Sequence, residues 1–338
     1  MSTIADVARR AGVSKMTVSR VINNSGYISP DTRERVEQAI AELGYIPNAL
    51  ARSLRFKQTQ TIALIVTDIT NPFFTTIARG VEDTASEHGF SVIFCNTDES
   101  REEEQEYVRV LIQKQIDGLL LVPARSTPDS IALLQDKTIP VVLLDRTIPG
   151  RPADTVRCDS ELGAYHLVRH LIELGHRRIA VLSGPDEVTT ATDRVAGWRR
   201  ALLEAGLPAL DDLVHYGAFS VDGGYQMARQ ALAGKPRPTA LFTANNFIAV
   251  GAMHALREAG LRVPEDISLV TFDDLPPTMA IDPFFTAAMQ PAYEMGQQAT
   301  LLLLNRLEGK GPETTQELIL PPQFVYRRSS GPPPPEDR

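Results

Sequence analysis

Short apolar runs separated by longer stretches of mixed character restrict the fold of this chain more than any other feature. They lie at 62–66, 90–94, 118–122 and 140–144, and again at 179–182, 240–243 and 267–272. Runs this short, spaced by helix-length segments, mark strands buried on both faces of a parallel sheet. The series also repeats itself. Ile62 to Ile179 spans 117 residues, Gly118 to Thr239 spans 121, and Asp145 to Asp273 spans 128. The pattern predicts two similar doubly wound α/β lobes in tandem. Ligands of open α/β sheets sit at the carboxyl ends of the strands, and paired lobes set those ends across a cleft.

At 338 residues the chain has room for such a bilobed body and a small domain before it. No apolar run approaches the roughly 18 residues that span a bilayer, so no membrane association is expected. The N-terminus carries Asp6, Arg9 and Arg10 where a secretory signal needs an apolar core, which predicts a cytoplasmic protein. Two cysteines, Cys95 and Cys158, are too few for a disulfide framework and read as buried thiols. The net charge of -8 argues against nucleic acid until it is divided along the chain. Residues 1–57 hold nine basic and five acidic residues, a net of +4, which leaves -12 for the rest. An acidic body with a basic head directs polyanion binding to the head.

The head has its own pattern. Ile4 to Ala11 reads as a helix with Val7, Ala8 and Ala11 on one face, ended by Gly12. Ser14 is placed to cap a second helix reaching to about Asn23. A steep helix-turn-helix crossing needs a small residue at the contact, here Ala8, a turn glycine, here Gly12, and apolar residues at Val7, Val13, Val18 and Val21. The outward face of the second helix offers Lys15, Met16, Thr17, Ser19 and Arg20, groups that reach base edges and phosphates. A third helix starts at Ser29-Pro30, repeats apolar residues at Val36, Ile40 and Leu43, and stops at Gly44. The stretch from Tyr45 to Leu54 is helix-prone but too short to be stable alone.

Thr3-Ile4-Ala5-Asp6-Val7-Ala8, Gly12-Val13-Ser14, Thr17-Val18-Ser19-Arg20-Val21-Ile22-Asn23 and Gly44-Tyr45-Ile46-Pro47-Asn48 closely resemble the headpiece of the lactose/galactose repressor (LacI/GalR) family. The body carries further matches: Asn71-Pro72-Phe73-Phe74, Asp117-Gly118, Leu174-Gly175-His176, Gly184-Pro185, Arg194-Val195-Ala196-Gly197 and Phe272-Asp273-Asp274. These resemble the periplasmic-binding-protein-like effector domain of the same family, so the resemblance covers nearly the whole chain. It implies a helix-turn-helix headpiece at 1–47, a hinge helix and linker at 48–60, and a two-lobed effector and dimerisation domain at 61–328. Three chain crossings then place about 61–160 with 291–320 in one lobe and 161–290 with 321–328 in the other. DNA contacts are implied at Thr3, Ser14, Lys15, Met16, Thr17, Ser19, Arg20, Asn23, Asn48, Ala51 and Leu54, the last as an apolar wedge in the minor groove.

The resemblance also lines the cleft with Phe73, Phe74, Asp145, Asp159, Thr190, Arg194, Phe219, Asn245, Asp273 and Gln290. The chemistry of that set suits a polyol. Arg194 and Asp273 donate to and accept from neighbouring hydroxyls, and Phe219 or Phe73 packs on the apolar face of a sugar ring. A neutral sugar or sugar acid is the expected effector, because the stretch before Arg194 lacks the extra cations a phosphorylated sugar prefers. Asn245-Asn246 stands where the family often has Asn-Asp, which removes a carboxylate near the cleft. No cofactor or metal is implied. The family's C-terminal leucine-heptad helix is missing, so a homodimer on a near-palindromic double-stranded operator is expected. Residues 329–338, with four consecutive prolines, read as a disordered tail.

Two other classes were weighed. A dinucleotide enzyme would want a Gly-x-Gly-x-x-Gly turn after the first strand, whereas residues 66–72 contain no glycine, and no Gly-x-Ser-x-Gly or His-Glu-x-x-His occurs. Among the six histidines, His166 and His170 share an i, i+4 face that could hold a metal, but no third ligand is evident and a partly solvated helix surface is the favoured reading. An exported solute receptor shares the body fold but would need a signal peptide and no basic head.

Overall fold

The computed structural model describes residues 2–45, 58–127, 129–275 and 282–335. They divide into two compact units near residue 59. The first unit is three helices, α1 (Ile4–Ala11), α2 (Lys15–Ile22) and α3 (Pro30–Leu43). Each begins on a hydroxyl cap. Thr3 and Asp6 form a reciprocal capping box on α1, Ser14 accepts from the Thr17 amide, and Ser29 accepts from the Thr32 amide with Pro30 in the first turn. Gly12 ends α1 at φ 67°, a conformation unstrained only for glycine. Val7, Ala8, Ala11, Val18, Val21, Val36 and Ala39 form the core, while Val13 is only partly buried. Val7, Val18 and Val36 are fully enclosed, and truncating any of them to alanine should cost about 2 kcal/mol in a core this small.

The second unit holds two six-stranded sheets. The strands and helices run β1 (Thr61–Val66), α4 (Pro72–Glu87), β2 (Ser91–Asn96), α5 (Arg101–Gln113), β3 (Gly118–Leu121), α6 (Asp129–Asp136), β4 (Val141–Leu144) and β5 (Asp154–Cys158). Then follow α7 (Ser160–Glu173), β6 (Ile179–Ser183), α8 (Thr189–Glu204), β7 (Val214–Tyr216), α9 (Val221–Ala233), β8 (Ala240–Thr243), α10 (Asn246–Glu258) and β9 (Ser268–Phe272). The last elements are β10 (Thr286–Met289), α11 (Ala292–Leu307), β11 (Glu317–Leu320) and β12 (Gln323–Val325). One sheet has the order β11-β5-β4-β3-β1-β2 and is wholly parallel; the other has the order β12-β10-β9-β8-β6-β7 and is parallel except for β12. The chain therefore passes between the sheets after β5, after β10 and after β11.

The two-residue period of a strand divides the first lobe's core. Ile62, Leu64 and Val66 join Ile77 of α4 and Met295, Ala299 and Leu303 of α11 on one face. Ala63 and Ile65 join Val108 and Leu111 of α5 and Ile131 and Leu134 of α6 on the other. The second lobe packs around Trp198, which is fully buried and donates from Nε1 to the Ile179 carbonyl at 3.1 Å. Cys95 and Cys158 are free, buried thiols.

Residues 329–335 depart from the expected disordered tail. Ser329 is fully buried; its hydroxyl donates to the Leu269 carbonyl at 2.6 Å and accepts from the Thr286 amide at 2.8 Å. The Gly331 carbonyl accepts from Ser268 Oγ at 2.9 Å and lies 2.9 Å from His176 Nε2. Prolines bar a helix but leave extended backbone free to dock, and here the segment supplies the partners that the start of β9 and the buried His176 require. The His166 and His170 rings are likewise engaged. His166 stands 5.2 Å from the Phe324 ring, and His170 lies 4.7 Å from Tyr326 with Nε2 3.0 Å from Ser330 Oγ. No metal-holding cluster occurs among the described residues. No described helix is long and apolar enough to cross a membrane.

Candidate functional site: a nucleic-acid face and an interlobe cavity

In the headpiece, charge is distributed unevenly. Arg9, Arg10, Arg33 and Arg35 pair with Asp6, Glu42, Glu37 and Asp31. Lys15 and Arg20, both exposed on α2, make no ion pair among the described residues. Uncompensated cations on one helix face are what a phosphate backbone attracts. Met16 stands beside them, 66% exposed, with no core to fill. Thr17 and Ser19 are partly buried. Thr3, Ser14 and Asn23 also hold the helices: the first two are N-caps, and Asn23 Nδ2 donates to the Ser19 carbonyl at 2.7 Å. Asn48, Ala51 and Leu54 lie outside the described residues. Tyr27, which the sequence reading passed over, is 90% exposed in the turn between α2 and α3. A large aromatic so exposed is itself a signal of an interface.

In the second unit, a cavity opens between the lobes. Phe73 and Phe74 enter from the start of α4, Asp145 from the end of β4, and Thr190 and Arg194 from the first two turns of α8. Phe219 comes from the loop before α9, Asn245 caps α10, Asp273 follows β9 and Gln290 follows β10. Nine of the ten residues expected in the cleft thus line one space. Asp159 does not. Its carboxylate accepts from the Leu162 amide at 2.9 Å and caps α7, so it is occupied by the helix start. Phe73 and Phe74 serve two ends: they meet edge-to-face at 5.0 Å, belong to the first lobe's core, and still present an edge to the cavity.

Asp68, Asn71, Glu99 and Arg146 also line the space and were missed. Arg146 is 2% exposed. It holds Glu99 through both terminal nitrogens at 2.6 and 2.7 Å, donates to the Pro123 carbonyl at 2.9 Å, and has Asp145 at 3.7 Å. Its adjacency to Asp145 was the only signal in the sequence. Asn246 does not line the cavity. It is fully buried, with Nδ2 3.4 Å from Asn71 Oδ1 in the other lobe and 3.5 Å from the Asp274 carbonyl. A carboxylate there would face oxygens, which accounts for the amide.

Asp145 and Asp273 hold corresponding places in the two lobes, each directly after a strand and each in the left-handed region, at φ 63° and 61°. Aspartate reaches this conformation more readily than most non-glycine residues, yet it is uncommon, and such backbone gathers at binding sites. Burial raises both carboxyls above the usual range, against the pull of Arg146 and Arg194 on Asp145 and of Arg194 on Asp273, which reaches about 6. The Arg194 guanidinium acts on both acids. It rests over the Phe272 ring at 4.0 Å and donates to the Ala244 carbonyl, while Nε has no partner among the described residues. Phe272 can lie there because Gly163 leaves room: a Cβ at 163 would stand 2.5 Å from the ring. Asp145 Oδ1 and Gln290 Oε1 are also buried without partners among the described residues. Buried polar atoms left open at a cavity wall are places for a ligand's hydroxyls. Burial pushes the Cys158 thiol up to about 12, so it is inert here.

A three-helix headpiece with a cationic recognition face, carried on the same chain as two lobes around a polar and aromatic cavity, defines a DNA-binding regulator with a small-molecule site. Comparison with known proteins agrees. Residues 3–48 match the bacterial regulatory proteins of the lacI family, and residues 59–328 match the periplasmic binding proteins and sugar binding domain of the LacI family. The ribose operon repressor of Escherichia coli (strain K12) is 40% identical over 331 residues, 98% of this chain and 100% of that one. The transcriptional repressor PurR of Haemophilus influenzae (strain PittEE) is 38% identical over 332 residues, 97% of this chain and 98% of its own. The lac repressor dimer bound to operator and the anti-inducer ONPF superposes with a TM-score of 0.86 at 33% identity, covering 98% of this chain and 99% of that one. The chain belongs to the LacI family of transcriptional regulators.

Proposed function

We propose that this protein is a cytoplasmic repressor that binds a near-palindromic operator as a homodimer and is released from it by a neutral sugar held between the lobes. Its role is binding, with no chemical step. The gathering of Asp145, Arg194 and Asp273 on one cavity wall carries the reading. Four carboxylates (Asp68, Glu99, Asp145, Asp273) face two guanidiniums, and both guanidiniums are already compensated by acids within the cavity. A phosphate or carboxylate would add negative charge where none is lacking, whereas a hydroxyl can donate to Asp145 or Gln290 and accept from Arg194. The structure therefore favours the neutral member of the pair expected from sequence, sugar over sugar acid. Lys15, Met16 and Arg20 read base edges, and coupling passes through residues 46–57, which lie outside the described residues.

Aromatic edges from both lobes, Phe73 and Phe74 on one side and Phe219 on the other, support a flat heteroaromatic base as a second reading. One experiment separates them. Operator-length DNA is titrated with the protein in the presence of D-ribose, D-glucose, cellobiose, gluconate, glucose 6-phosphate or guanine. Weakening by a neutral sugar alone supports the first reading; a response to guanine alone, or to the anions alone, overturns it. Operator binding that survives removal of residues 1–57 would overturn the assignment of the headpiece.

A further inference from the structure

We infer that Gly184 is a positioning residue of the cavity, which seats the Phe219 ring and through it sets which ligands fit; this rests on the sugar-binding reading of the same site. Gly184 follows β6 directly and is buried. A Cβ built on it would overlap Cζ, Cε1 and Cε2 of Phe219, far inside contact distance. The tip of the ring therefore stands on the Gly184 backbone.

The ring has little freedom elsewhere. It packs against the second lobe's core, and its backbone leads into Ser220, whose hydroxyl accepts from the Gly223 amide at 3.0 Å and caps α9. Its face lies 5.5 Å from the Arg146 guanidinium of the other lobe. That guanidinium cannot yield, because Glu99 and the Pro123 carbonyl hold it. A methyl at 184 leaves the ring one direction to go, into the interlobe cavity that a ligand would enter. Gly184 thus lies behind the wall and touches no ligand, yet it fixes how far the one aromatic wall of the second lobe advances.

The test uses the full chain as the variants Gly184→Ala, Phe219→Leu and the two together. Crystal structures without sugar should show the Phe219 ring displaced toward the cavity in Gly184→Ala, and a ring left in place would overturn the positioning role. In titration calorimetry with D-ribose, D-glucose and cellobiose, Gly184→Ala should bind about tenfold or more weakly and change the ratio of monosaccharide to disaccharide affinity. Operator affinity without sugar should match the parent. Because Phe219→Leu removes the atoms that the methyl strikes, the double variant should bind no worse than Phe219→Leu alone. Losses that multiply in the double variant would mean that Gly184 acts through general packing and would overturn the inference. If none of these sugars binds even the parent, the sugar reading fails, and the ring's displacement alone decides the role of Gly184.

Discussion

Asp273 makes the tension between stability and binding measurable. Burial lifts its carboxyl from an ordinary 3.8 to about 6, against the opposing pull of Arg194 and the hydrogen bond from Gln290. A gap of about two units corresponds to about 3 kcal/mol. In the unfolded chain the group ionises near 3.8, whereas in the folded chain it keeps its proton until about 6. Between those values the folded state binds more protons, so stability falls as pH rises through the window, and above it the whole penalty is present. Asparagine mimics the protonated form. Its Oδ1 can still accept from Gln290 Nε2, now at 2.9 Å, and asparagine tolerates φ 61°. Asp273→Asn should therefore raise the unfolding free energy by up to about 3 kcal/mol at about pH 7.5 and by almost nothing at about pH 4. Urea denaturation at the two pH values reads this directly. A variant less stable than the parent near pH 7.5, or a gain that persists near pH 4, would refute the assignment of buried charge to this carboxylate. The same variant should respond poorly to sugar, the usual opposition between a strained binding site and a stable one.

Three further outcomes follow from the description. Substituting Lys15 or Met16 should change which operator sequence binds best, at about 1–3 kcal/mol per lost base contact, and selection from a randomised operator library checks it. Arg194→Ala should leave operator affinity intact and abolish its response to sugar, which an operator titration with and without the ligand measures. Removing residues 329–338 strips the partners from the Thr286 amide and His176; at about 1 kcal/mol or more for each buried group left unpaired, the loss should appear as a clearly lowered melting temperature.

The sequence displayed its fold where strands are buried on both faces, because only there does burial force an unbroken apolar run. β1, β3, β4, β6, β8 and β9 are of that kind, and the half-exposed edge strand β2 still kept enough apolar residues to be read. β5 reads Asp-Thr-Val-Arg-Cys, β7 has three residues, and β11 and β12 are short edges with exposed positions; none can be told from loop by composition. In the cavity, Asp145 and Asp273 could be matched through the internal repeat. Glu99 and Arg146 could not, since 47 residues separate two groups that the fold alone joins. An aspartate before Ser-Glu-Leu is equally a helix cap, and Asp159 takes that role at the start of α7. The tail misled because proline excludes a helix without excluding docking.

What the cavity holds in common across its walls is unfavourable energy. Two aspartates sit in left-handed backbone, and both are desolvated near an arginine whose Nε has no partner among the described residues. The lobes meanwhile already touch: the Thr147 amide donates to Thr189 Oγ1 at 3.0 Å, and the Thr189 amide donates to Ser126 Oγ at 3.2 Å. A hydroxyl-bearing ligand would find its partners among the polar atoms that this contact encloses. Only differential binding counts toward a switch, because a ligand shifts an equilibrium by no more than its difference in affinity for the two states. Linkage then requires that the factor by which an effector changes operator affinity be the factor by which operator changes effector affinity.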